Sequence, residues 1–80
     1  MDKLTKFLHH LTPKERMVVE VGIIRILSQK TSGLDIKKLR GQADIFRLRI
    51  GSVRIIYQQD STNTHLLYIG RRSDTTYRDF

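Results

Sequence analysis

The stretch "DIFRLRIGSVRIIY", residues 44 to 57, constrains this chain more than any other. Phe46, Leu48 and Ile50 alternate with Ile45, Arg47 and Arg49, which is the period of a β-strand. Gly51-Ser52 is a Gly-X pair suited to a two-residue type II′ turn. After it Val53, Ile55 and Tyr57 alternate with Arg54, Ile56 and Gln58. A two-residue loop sets Ile50 opposite Val53, Arg49 opposite Arg54 and Leu48 opposite Ile55. One side of the hairpin then reads as core. The other carries Arg47, Arg49 and Arg54, with two arginines directly opposed. Like charges in that relation are mildly destabilising, so the arrangement points to a polyanion that the face holds.

The charge distribution supports this. The net charge is +7, and residues 37 to 54 carry Lys37, Lys38, Arg40, Arg47, Arg49 and Arg54 against Asp44 alone. The first 30 residues, with six bases and three acids, have an ordinary helical balance. Such a patch attracts phosphate backbones, membrane surfaces or an acidic protein. Eighty residues make one small domain near the size at which a single core is marginal. Without cysteine there is no disulfide or thiolate metal site, as expected in a reducing cytoplasm. The longest apolar tract, residues 18 to 27, is broken by Glu20 and Arg25, which excludes a membrane span. His9, His10 and His65 lack partners at metal-ligand spacing, so neither metal nor cofactor is expected.

Leu4, Phe7, Leu8 and Leu11 recur at helical spacing, and Thr12-Pro13 with Glu15 forms a capping-box restart. A second helix is predicted over 13–28. Its apolar stripe, Met17, Val18, Val21, Ile24 and Leu27, broadened by Val19, Ile23 and Ile26, is wide enough for burial between the first helix and a sheet. Gly22 inside it marks close packing. A basic connector, "DIKKLRGQA", leads to the first strand, and "DSTN" (60 to 63) turns the chain into a third strand, "THLLYIG". That turn sets Tyr57 opposite Leu66, Ile55 opposite Tyr68 and Arg54 opposite Ile69. It places Tyr57 and Tyr68 on the core side and Arg71 on the arginine side. The expected fold is α+β: a helical hairpin (1–29) packed on a three- or four-stranded antiparallel sheet (meander 44–70), then a polar tail (71–80).

In order along the chain, "KKLRG", "IFRLRIGSVRIIYQ", "LLYIGRRSD" and Tyr77 resemble the RelE/ParE toxin superfamily of type II toxin–antitoxin modules. They cover about half of the chain, which is similar to a short form lacking the family's N-terminal strand. The resemblance implies a RelE-like mRNA interferase, a metal-independent endoribonuclease that cuts mRNA on the ribosome by 2′-hydroxyl attack on the scissile phosphate. It implies that Arg54 stabilises charge on that phosphate and that Arg72 is the general acid. Tyr77 would position the nucleotide, and Arg47 and Arg49 would hold the backbone, with Arg49 assisting catalysis. Arg71, Lys37, Lys38 and Arg40 complete the expected RNA contacts. The implied partners are an acidic, partly disordered antitoxin, mRNA and the ribosome, in the cytoplasm and without a membrane. The open sheet edge is a place for a donated strand or for self-association. Two alternatives stay open: a ParE-like gyrase inhibitor, and an inactive module that binds RNA or antitoxin.

Overall fold

The computed structural model describes residues 3–39, 41 and 44–71. Helices α1 (Lys3–His9) and α2 (Pro13–Leu27) precede strands β1 (Asp35–Lys38), β2 (Ile45–Ile50), β3 (Val53–Gln59) and β4 (Thr64–Arg71). The strands form one antiparallel sheet in chain order, β1-β2-β3-β4. Both helices pack on one side of it. The α+β architecture is the expected one, and the sheet has four strands.

Local chemistry explains the boundaries. The Thr12 hydroxyl accepts from the Glu15 N–H at 3.2 Å while the Glu15 carboxylate accepts from the Thr12 N–H at 3.1 Å. With Pro13 at the first helical position, this closes the capping box that starts α2. Arg25 ties down the far end, donating to the carbonyls of Lys30 and Ser32. The Gln59 side chain donates to the Ile26 carbonyl at 3.0 Å and to Thr64 Oγ1 at 2.8 Å, joining α2 to the β3–β4 hairpin. At the first hairpin only Gly51 of its turn pair has positive φ, 56°, as a II′ turn requires.

The core lies between α2 and the sheet. Val19, Ile23 and Ile26 bury against Leu48, Val53, Ile55 and Tyr57, with Leu4, Phe7 and Leu8 of α1 at the margin. Phe46 stacks on Tyr57, ring centroids 5.5 Å apart, and burial pushes the Tyr57 phenol pKa up. A Cβ on Gly22 would stand 2.5 Å from Ile50 Cδ1 and 3.3 Å from Leu48 Cδ2, so the glycine does permit close packing.

Three expectations are corrected. The basic connector is partly a strand: β1 pairs with β2 because Ile36 turns toward the core beside Leu48. Of the α2 stripe, Met17, Val18, Val21, Ile24 and Leu27 are exposed, Met17 and Ile24 each by 61 %. The helix buries the part of the stripe that holds Val19, Ile23 and Ile26, with Gly22 between them, because its apolar residues spread over a wider arc than a single sheet can cover.

The third correction concerns register. Tyr57 pairs with Leu66 as expected, but Ile56 pairs with Tyr68, which leaves Leu67 as the extra residue of a β-bulge. Ile55 therefore faces Ile69, Arg54 faces Gly70, and Val53 faces Arg71. The bulge lets Leu66 and Ile69 both pack on the core, which strict alternation forbids. Everything beyond it changes sides. Tyr68 moves to the arginine side, and Arg71 moves to the helix side.

Candidate nucleic-acid interface

On the sheet face away from the helices, the registers line side chains into rows. One runs Asp35, Arg49, Arg54, Gly70 across the four strands; the next runs Lys37, Arg47, Ile56, Tyr68. The hairpin thus brings Arg47, Arg49 and Arg54 together as read from the sequence, with Arg49 directly opposite Arg54. Lys37 joins them beside Arg47. Lys38 pairs with Phe46 and so belongs to the other side of the sheet.

The three arginines stand in different surroundings. Arg49 is half-exposed and donates from Nε to Asp35 Oδ2 at 2.6 Å. Arg47 is 20 % exposed; its Nη2 lies 3.6 Å from Asp35 Oδ1, and its buried Nε has no hydrogen-bond partner. An unsatisfied buried donor costs on the order of 1–3 kcal/mol. Arg54 is only 5 % exposed and donates from Nη1 to the Gly51 carbonyl at 3.3 Å. Ile45 and Ile56 are buried on the same side. The face is not the solvated strand surface that alternation alone suggests. It is cationic and partly dehydrated, where a charge-assisted hydrogen bond is stronger than in water.

Arg71 departs from its expected place. Its Nη1 donates to Glu15 Oε2 at 3.0 Å and to Ser52 Oγ at 2.7 Å, on the helix side. The physical reason is the bulge, which sets Arg71 opposite Val53, a core-side residue. The Arg71 guanidinium, first, and the Thr12 N–H hold the Glu15 carboxyl at about 2, and the carboxylate in turn raises the Arg71 pKa. Arg40, Arg72 and Tyr77 lie outside the described residues.

Two residues of the face were not read as site residues from the sequence. Asp35 had a signal, since Asp35 and Lys37 alternate with Ile36 in "DIKK", but that segment was read as connector. Tyr68 had none, because its side depends on the bulge. Chemically, guanidiniums at this spacing can hold phosphate oxygens. Among the described residues no group of three or more His, Asp or Glu side chains could hold a metal. No described helix is long and apolar enough to cross a membrane.

No protein-family model matches this sequence, and no curated protein does. Among solved structures, a chain of the RelB–RelE antitoxin–toxin complex from Methanococcus jannaschii superposes with a TM-score of 0.74. The match covers 99 % of this chain and 95 % of that one, at 23 % identity. The fold is that of a chain in an antitoxin–toxin complex. At this identity the likeness concerns architecture: two helices ahead of an antiparallel sheet, consistent with the RelE-like fold.

Proposed function

We propose that this chain is a component of a toxin–antitoxin system, and within it the toxin, acting as a RelE-like mRNA interferase. The observation that carries the reading is the convergence of Lys37, Arg47, Arg49 and Arg54 on one face of a sheet whose fold matches a chain of a RelB–RelE complex. In this reading Arg47, Arg49 and Lys37 hold the backbone either side of the scissile bond. Arg54 stabilises the charge that builds on the phosphate as the 2′-hydroxyl attacks. Arg72 protonates the leaving oxygen and Tyr77 positions the nucleotide. Arginine and unperturbed tyrosine (pKa about 10) are poor proton donors and acceptors at neutral pH, so free RNA is a poor substrate and the ribosome supplies the alignment. An acidic antitoxin segment covers the arginines at rest.

The test is to map mRNA 5′ ends after adding the protein to a translation reaction, beside naked RNA and an Arg54→Ala control. Ribosome-dependent cuts absent from the control are expected. Intact mRNA at high protein concentration would sink the nuclease reading.

A second reading is favoured by α2. Its exposed Met17, Val18 and Val21 border a groove of about 470 Å³ that Leu34, Ile50 and Arg49 close on the sheet side. Apolar exposure of this kind marks protein contact and fits an inhibitor that binds a protein, gyrase being the candidate. A DNA supercoiling assay separates the two readings.

A further inference from the structure

Asp35 stands where a phosphate held by Arg47 and Arg49 would have to sit. Its Oδ2 accepts from Arg49 Nε at 2.6 Å, and its Oδ1 lies 3.6 Å from Arg47 Nη2, so one carboxylate spans two guanidiniums. The sheet puts it there: Asp35 pairs with Arg49, while the next residue, Ile36, packs toward the core and anchors β1. In the two rows that hold Lys37, Arg47, Arg49 and Arg54 it is the single acid.

Its fit to the two arginines is unequal. Arg49 is bonded at short range, whereas Arg47 is reached only at ion-pair distance and keeps a buried Nε without a partner. A phosphodiester carries the same single charge and offers two free oxygens on a larger tetrahedral centre. It can serve both guanidiniums where the planar carboxylate serves one. We infer that Asp35 is a resident competitor for phosphate at the Arg47–Arg49 notch, and that it makes this face selective for a chain of phosphates over an isolated anion. A lone phosphate must displace a carboxylate that is already tethered in place. A chain of phosphates meets Lys37 and neighbouring cations at the same time, so its later contacts form at high effective concentration. That the natural chain is RNA rests on the function proposed above. The competition itself is a property of the notch.

The experiment titrates inorganic phosphate and a short single-stranded RNA into the wild type, Asp35→Asn, Asp35→Ser, Arg49→Gln and the Asp35→Asn/Arg49→Gln double variant, across a range of salt. Exposed ion pairs of this type have modest strength, so Asp35→Asn should bind phosphate about three-fold tighter at low salt. Its RNA salt dependence should steepen by about 0.7 in log–log slope as one more phosphate contact forms. Arg49→Gln should erase both gains in the Asp35→Asn background. Asp35→Ser, which keeps no amide to replace the carboxylate, should show the same gains. Unchanged affinity and slope in both Asp35 variants, or a gain that persists without Arg49, overturns the inference. The two readings also fail separately. A phosphate gain with RNA bound by none of these proteins keeps the competitor and removes the RNA reading. RNA bound alike by wild type and both Asp35 variants, with no phosphate gain, does the reverse.

Discussion

Both sides of the sheet bury side chains, but by opposite means. On the helix side, Leu48, Val53 and Ile55 lose their solvent to α2 in a core of apolar residues, with the Arg71–Glu15 pair on the same side. On the other side Ile45 and Ile56 are buried too, yet Ile56 is paired with Arg47, and Arg54 stands two residues before it on the same strand face. A guanidinium on a long aliphatic stem can cover an apolar residue and still present its charge. Burial and cationic character are therefore compatible on one strand, and β3 is enclosed on both sides. A face built this way keeps its arginines in place before any ligand arrives, which lowers the ordering cost of binding.

The sharpest way to break this comparison is a matched pair of truncations. Leu48→Ala and Ile56→Ala each remove a fully buried side chain, one from each side, and each is expected to lower stability by about 2–5 kcal/mol in urea unfolding. A cost for Ile56→Ala below about 1 kcal/mol, in the range of a surface change, would show that the arginine side is open in solution. Next in size is the cap: Thr12→Ala removes half of the capping box and should cost about 1 kcal/mol.

Acid then separates the helix-side ion pair from the rest. The Glu15 carboxyl is lowered from 4.5 to about 2 in the folded protein. Between those values the unfolded chain binds more protons, so stability falls as pH drops from about 4.5 toward 2. Glu15→Gln should flatten that part of an acid-unfolding curve, and an unchanged curve would mean that the pair with Arg71 is absent in solution. The smallest structural effect belongs to the arginine side. Arg49→Gln should change stability by no more than about 0.5 kcal/mol, while weakening RNA binding and making its salt slope shallower by about 0.7. A large loss of stability instead would make Arg49 a structural residue.

Most of the architecture was legible because it rests on local rules. The alternation through 45–50 and 53–58 set the hairpin register, and every pairing expected from a Gly51-Ser52 loop is present. The Thr12-Pro13-Glu15 signal placed the start of α2, and its end differs by one residue. Asp60 nucleates the second turn by accepting from the N–H groups of Thr62 and Asn63, which also lower its pKa. The misses share a cause. Tyr68 and Arg71 were assigned sides by carrying strict alternation along β4, and one extra residue reverses every side chain beyond it. The α2 stripe was read as buried because an apolar side chain signals its preference for burial and not whether a partner exists.

By itself, then, the sequence determined both helices and strands β2 to β4, the hairpin that gathers Arg47, Arg49 and Arg54, and the sign of the face they make. These follow from neighbours a few residues apart, through strand period, turn geometry and capping. Only the tertiary structure decided that β1 joins the sheet and sets Asp35 against Arg49. It alone decided that Arg71 serves Glu15 and not the arginine face, and which side of α2 meets the core. Those outcomes depend on the fit between segments far apart in the chain, where a single bulged residue or one edge pairing changes which side chains meet.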